Sequence, residues 1–328
     1  MRYLITGATG FVGPHLIKKL MDSGHACRCL VRPGSEEKIS YIAGVEIVIG
    51  DIEHPETLIG IAKNMDCLIH MATLGHMSNF AVSEEQFDAV NVGGTVNIMK
   101  AALDAGVKKI VHCSTVAAMG ICQDVPATEK SECFPHHPYG RSKLRAEKEV
   151  LRMVREESLP AVIIRFSMVY GPGDKRDMLK LVRMAKKGLF PKVGNRSKLT
   201  PLIHVEDAVD GLLLAAEKGI PGQIYLITNR KSEPFDVIRK ITRDALGSRK
   251  PTLYVPEWAA LAAASVIEKA FTFIGKTPPV SRKNIESTLA DRVFSVDKAE
   301  KELGFNPKID PRIGIKNTID WYRTKGWV

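Results

Sequence analysis

Tyr139 and Lys143 stand four residues apart, so on a helix they share one face. Of the seven tyrosines, only Tyr139 has a lysine at that offset. A free tyrosine titrates near pH ~10 and is a weak base at neutrality, but a nearby ammonium favours the phenolate. Lowering its pKa by about three pH units takes roughly 4 kcal/mol, within reach of two close cations. Such a phenol could take a proton from an alcohol or return one to a ketone. The plainer alternative is a helix tyrosine beside an exposed lysine. Ser114 and Thr115 end an apolar run over residues 109–113. Either hydroxyl could hold a substrate oxygen, or simply cap the next turn. His136 and His137 read as surface loop residues, and His204, in an apolar run, as a structural histidine.

Proton removal from an alcohol is useful when a hydride leaves as well, and the chain offers a place for a hydride acceptor. A strand-like run over 2–5 leads into Thr6-Gly7-Ala8-Thr9-Gly10-Phe11-Val12-Gly13. Gly7 permits a sharp turn, Gly10 leaves the backbone open to a ligand, and Gly13 lets the next helix pack closely on the strand. That helix is expected from Pro14, whose missing N–H is not needed in a first turn. The free N–H groups there attract an anion, and a pyrophosphate fits. A dinucleotide held this way would place a positive nicotinamide near Tyr139 as the second cation. The alternative is a glycine turn that binds nothing.

At the end of a second strand, 26–31, an acid would hold a ribose 2′-hydroxyl. Val31 and Arg32 stand there instead. A guanidinium suits a 2′-phosphate, so NADP(H) is favoured, with NAD(H) the alternative. A third strand, 45–49, ends in Gly50, Asp51 and Ile52, where Asp51 can accept a hydrogen bond from an adenine amino group. A fourth, 67–72, ends in Met71, Ala72 and Thr73, small enough in part to let the cofactor approach.

These residues need a scaffold. Strand runs alternate with helical runs at 14–23, 55–63, 84–105 and 139–157, and a sixth strand covers 161–166. Short loops between them predict an α/β fold, a Rossmann-type doubly wound parallel sheet. Residues 202–205 and helix 206–217 are expected to return to that sheet, with another strand at 222–228. Residues 174–200, carrying helix 177–187, look inserted. From 231 the pattern is helical and irregular, with prolines at 251, 256, 278 and 279. The expected division is a dinucleotide-binding domain over 1–173 and 201–230, and a smaller, mainly helical substrate domain over 174–200 and 231–328.

Composition bounds the rest. The 328 residues suggest about two domains. A formal net charge of +10 favours anionic ligands or surfaces. Basic residues are scattered, without the aromatic interleaving expected of a nucleic-acid binder. The six cysteines lack zinc spacing, and no metal site is expected. Four lie in strand-like runs and read as buried apolar groups in a reducing, cytoplasmic setting. With a strand expected from residue 2, no signal peptide is expected, and no apolar run reaches transmembrane length. The stretch 257–274 is apolar on most sides but interrupted by Glu268 and Lys269. It reads as a buried helix, or as a lid over an apolar substrate, or as a patch resting on a membrane surface.

Taken together, the chain resembles an extended short-chain dehydrogenase/reductase of the NAD-dependent epimerase/dehydratase superfamily. The resemblance rests on Thr6 to Gly13, Gly50-Asp51, His70 to Ala72, Asn91 to Thr95, Ser114-Thr115 and Tyr139 to Lys143. It continues through Arg165, Val169 to Gly173, His204 to Asp207, Lys298 to Pro307 and Trp321-Tyr322. It implies a Ser/Thr–Tyr–Lys triad with Asn91 in support, Thr115 favoured over Ser114, and further cofactor contacts at Phe166 and Val169. It also implies a homodimer paired through helices like 84–105 and 139–157. Many relatives carry Pro where this chain has Phe166. Sugar-nucleotide epimerases share an Arg-x-Gly-Asp stretch that Arg282 to Arg292 lacks, and an Asn where this chain has Ser167-Met168. Residues 254–264 and 277–281 are more similar to 3β-hydroxysteroid dehydrogenase-like, dihydroflavonol reductase-like and hopanoid-associated members.

The expectation is an NAD(P)-dependent oxidoreductase acting on a secondary alcohol or ketone, apolar if the 257–274 stretch covers it, with Tyr139 as general acid/base. One alternative is a nucleotide-sugar epimerase or dehydratase that oxidises its sugar transiently. Another is a non-catalytic NAD(P)-sensing protein, which would have no use for the Tyr139–Lys143 pair.

Overall fold

The computed structural model describes residues 1–75, 82–195, 197–250, 252–273, 282 and 289–328. Seven strands form one parallel sheet: β1 (Arg2–Thr6), β2 (Ala26–Val31), β3 (Glu46–Ile49), β4 (Cys67–His70), β5 (Lys109–Thr115), β6 (Ala161–Phe166) and β11 (Ile224–Ile227). Their order is β11-β6-β5-β4-β1-β2-β3. Order therefore reverses between β1 and β4, and a crevice opens outside their carboxyl ends.

Tyr3 to Thr6 of β1 and all of β4 and β6 are buried, as expected of strands covered on both faces. On one face lie α1 (Val12–Asp22) and α6 (Val205–Lys218), with Leu16, Ile17, Leu20, Val209 and Leu212 in the core. On the other lie α3 (Gly94–Asp104) and α4 (Pro138–Glu157), contributing Ile98, Met99, Ala102, Val150 and Met153. Between α2 (Glu84–Asp88) and α3 the helix widens into a π-turn over Ala89–Gly93, so the expected helix 84–105 is three pieces in register. Residues 55–63 form only a 3-10 turn, Pro55–Leu58, followed by bends, rather than the expected helix. Gly60 takes a positive φ of 75° there, a conformation that breaks a helix.

Three two-stranded pairs lie outside the large sheet. β7 (Met168–Tyr170) pairs with β10 (Leu202–His204), β9 (Leu199–Thr200) with β12 (Glu233–Pro234), and β8 (Lys192–Val193) with β13 (Tyr254–Val255). Residues 202–204 thus do not rejoin the main sheet. β6 and β7 are separated by one residue, and the chain has already turned away at Ser167. Around β7 and β10 gather α5 (Asp177–Lys187), α7 (Phe235–Leu246) and α10 (Pro311–Thr324), whose Met178, Val182, Ile238, Ile315 and Tyr322 make a separate apolar cluster. α8 (Glu257–Phe273) follows β13, and α9 (Asp297–Leu303) sends Ala299 and Leu303 into the core of the large sheet. Among the described residues no helix is long and apolar enough to cross a membrane.

Candidate active site

The glycine turn fills the amino side of the crevice. Gly7 has φ +74°, and a Cβ there would stand 2.7 Å from the Ala72 nitrogen and from the Met71 carbonyl carbon. The turn therefore closes tightly on the end of β4. Gly10 is exposed, and a Cβ on it would meet only the Gly7 oxygen, at 3.1 Å. Thr9, Phe11 and Val12 are half-buried around it. A Cβ on Gly13 would collide with the Ala8 backbone, so this glycine packs the helix against the turn itself rather than against the strand. α1 starts at Val12, two residues before the expected Pro14, and Phe11 makes no side-chain cap. No acid stands in the first turn. The open N–H groups beside an exposed glycine fit a dinucleotide pyrophosphate.

Past that turn, Arg32 is exposed at the end of β2. The half-buried Asp51 follows β3 and accepts from the Glu53 N–H at 3.1 Å. Ile52 is buried, and its side chain lies 2.7 Å from where a Cβ on Gly94 would be. The turn after β7 comes back to α1: His15 Nε2 lies 2.8 Å from the Pro172 oxygen. Val169 is half-buried in β7, paired with Ile203. Phe166 is 8% exposed at the end of β6, opposite Thr115 and Ile227.

Across the crevice, β4 and β5 end in a buried polar layer. Thr6 Oγ1 lies 2.7 Å from His70 Nδ1, and His70 Nε2 lies 3.0 Å from Thr95 Oγ1. The Thr95 hydroxyl donates to the Asn91 oxygen at 2.7 Å, so it accepts from His70, whose proton sits on Nε2. Asn91 is buried. Its Oδ1 accepts from Thr73 and the Leu74 N–H, and its Nδ2 donates to the Leu74 oxygen and Ser142. It fixes the segment after β4 to the helix that carries Tyr139. The π-turn at Ala89–Gly93 aims it there.

Tyr139 and Lys143 do share one face of α4. Pro138 opens that helix, and His137 caps it, with Nδ1 accepting from the Tyr139 N–H at 3.2 Å. His137 is thus part of the helix start and not a plain loop residue. Gly140 lets α4 press against the Ala117 carbonyl, in the 3-10 turn Val116–Ala118 that Thr115 precedes. The Tyr139 ring sits 6.1 Å from Phe87 and 3.2 Å from where a Cβ on Gly75 would be. Lys143 is 2% exposed and donates to the Cys113 oxygen at 2.7 Å. Burial lowers its pKa to about 8. His70 and His112 lie 5.4 Å apart nearby, and burial and the Lys143 charge hold both imidazoles neutral.

The phenol stands here without the nicotinamide that the expectation counts as its second cation. In the cofactor-free chain burial pushes Tyr139 up to about 12, although the Arg176 charge and a hydrogen bond with Thr73 act the other way. Without a second cation beside it, desolvation of the phenolate outweighs the charges the chain supplies.

The two candidate hydroxyls have different duties. Ser114 is buried and donates to Glu147 Oε1, and Glu147 forms a doubly hydrogen-bonded pair with Arg165, 2.7 Å at its closest. Thr115 is half-buried and accepts from the Ala117 N–H at 3.1 Å, which leaves its own proton to give. Glu147 and Arg176 were not anticipated from the sequence. Glu147 follows Lys143 by four residues, so the helical spacing that joined Tyr139 to Lys143 could have extended to it. Arg176 comes near through the turn after β7, which no local pattern signals.

The model of the NAD dependent epimerase/dehydratase family matches residues 3–228, the part that holds the turn, the crevice and the Tyr139 helix. The chain belongs to that family. It is an enzyme fold of the extended short-chain dehydrogenase/reductase type. The chain is 27% identical, over 96% of its length and 95% of the other, to a 4-hydroxy-2-methyl-3-oxo-4-farnesyl-3,4-dihydroquinoline-1-oxide ketoreductase of Stigmatella aurantiaca. It is 29% identical to a UDP-glucose 4-epimerase of Vibrio cholerae, over 96% of this chain and 93% of that one. The crystal structure of gox2253 superposes with a TM-score of 0.85 at 34% identity, covering 99% of both chains. As a family member it is an NAD-dependent enzyme of the oxidoreductase/epimerase type. The Thr277 to Ser281 run and most of the Arg282 to Arg292 stretch lie outside the described residues.

Proposed function

We propose that the chain is a ketone reductase that interconverts an apolar ketone and its secondary alcohol, with NADP(H) as the favoured dinucleotide. The observation that carries this reading is the layout of the crevice wall, where Tyr139 and Lys143 share one face of α4 and the Thr115 hydroxyl keeps a proton to give. A protonated phenol beside the crevice can give its proton to a ketone oxygen. A bound reduced nicotinamide would supply the hydride. Tyr139 gives its proton to the oxygen that becomes the hydroxyl, and Thr115, with a free hydroxyl proton, orients that oxygen. Lys143, fixed on the Cys113 carbonyl, favours the phenolate left behind. Ser114, spent on Glu147, is a support rather than a participant.

Arg32 favours the 2′-phosphate by charge and exposure. An apolar substrate accords with the farnesylated substrate in the name of the Stigmatella ketoreductase. The epimerase reading shares the same proton chemistry, and the Vibrio relative keeps it in view. A screen of steroid-like, flavonoid-like, isoprenoid and nucleotide-sugar ketones, read as loss of NADPH absorbance, separates the two. Stoichiometric NADPH consumption with an apolar ketone is the expected result. Conversion of a nucleotide sugar with dinucleotide retained and no net consumption would replace the proposal with epimerisation.

A further inference from the structure

α8 is 17 residues long, yet among its described side chains Ala264 alone is buried. The expectation of a buried helix fails here. Its exposed apolar positions are not scattered: Trp258, Ala262, Val266, Ala270 and Phe273 recur every three or four residues and so form one stripe. Trp258 is 73% exposed, Val266 67% and Phe273 92%. A contiguous stripe of this kind marks a contact surface rather than ordinary surface leakage.

The stripe's amino end runs into a basic rim. β13, just before α8, pairs with β8 and leaves Leu253 and Tyr254 exposed. Upstream, Gly188 packs its backbone against the Lys250 side chain, with 3.0 Å from a notional Cβ to Lys250 Cδ. That contact brings the exposed end of α5, Lys186, Lys187 and Leu189, beside Arg249 and Lys250. Among the described residues none of these four cations enters an ion pair. Asp236, close by, is already held by Lys192 and Arg239, while Glu257 stands exposed where α8 begins.

We propose that this edge, the apolar stripe of α8 with the Lys186–Lys187 and Arg249–Lys250 rim, docks on an anionic lipid bilayer, along which the helix lies without crossing it. Indole and phenol rings suit the boundary between headgroups and acyl chains, and lysines beside them meet the headgroup charge. A second copy of the chain could cover the stripe, but a copy that itself carries a net charge of +10 is a poorer match for an edge with four exposed cations. An anionic membrane answers both features at once. The inference does not depend on the reaction proposed above.

The test is co-sedimentation of the purified full chain with vesicles of phosphatidylcholine alone or mixed with phosphatidylglycerol. Binding is expected only to the mixed vesicles, weakening as salt rises. Lys186→Gln with Lys187→Gln should weaken it by about fivefold per lysine. Trp258→Ser with Phe273→Ser should abolish it, while a quencher on the acyl chains dims the fluorescence of wild type and not of this variant. Unchanged melting temperature and dinucleotide affinity show that both variants fold. No binding to mixed vesicles at low salt, or binding that both variants retain, overturns the proposal. So does a wild-type dimer in solution that Trp258→Ser with Phe273→Ser dissociates, which would make a second copy the occupant.

Discussion

At the carboxyl ends of β4, β5 and β6, charged and hydroxylic side chains are buried and tied to named partners. Along α8, apolar side chains stand in solvent. Lys143, Glu147, Arg165, His70 and Asn91 are each nearly inaccessible, and all of them make hydrogen bonds within the crevice wall. Trp258, Val266 and Phe273 make no such use of burial. The crevice gives up stability to hold groups in fixed positions before any ligand arrives, as a preorganised site does. α8 leaves apolar surface unused, which suits a contact made with something other than this chain. Chemistry and contact surface are thereby carried by different parts of one molecule, and substitutions in the two should separate.

The largest effect on folding is expected at the buried ion pair. Glu147→Ala leaves the Arg165 guanidinium unpaired in the interior and should cost about 3–5 kcal/mol in chemical denaturation. A loss no larger than a surface substitution would mean that the pair is hydrated and the crevice is not rigid.

Lys143→Met should split activity from stability. Turnover should fall by about 100-fold or more, because the phenolate loses its cation. The cofactor-free protein should melt higher at neutral pH, because a buried ammonium is removed. The sign follows from the protons bound. The lysine falls from 10.5 to about 8 on folding, so between those values the unfolded chain holds more protons. Wild-type stability therefore gains with rising pH across that window, and the Met variant should lack that gain. Identical pH dependence in the two proteins would show that Lys143 is not desolvated.

A smaller effect is expected at the far end of the crevice. Arg32→Ala should reduce the preference for NADP over NAD by about tenfold, the worth of one charge-assisted contact to phosphate. An unchanged ratio of dissociation constants would remove the basis of the cofactor preference.

Much of the crevice was legible because its signals are local. Glycine spacing, a proline in the first helical turn and a tyrosine four residues from a lysine each follow from backbone geometry within one element. Helix Asp177–Lys187 could be read to the residue because an acid opens it and Gly188 closes it with positive φ. The rest depends on contacts between distant segments. That His137 caps the Tyr139 helix, that Asn91 grips Leu74, and that the Arg176 charge acts on the phenol are facts of packing that no motif signals. Burial acts on the Tyr139 phenol against the charges the sequence suggests, and the depth of that burial has no local signal. α8 shows the limit of periodicity, since a helix apolar on most sides gives no clue to which side, if any, is covered.

The central claim is that the Tyr139 phenol supplies the proton in ketone reduction. Single-turnover reduction by Tyr139→Phe, with dinucleotide affinity and melting temperature measured alongside, tests it most directly. The account predicts a fall of about 10²–10⁴-fold in the reduction rate with cofactor binding retained. A rate within about twofold of wild type would contradict it and move the acid to another group.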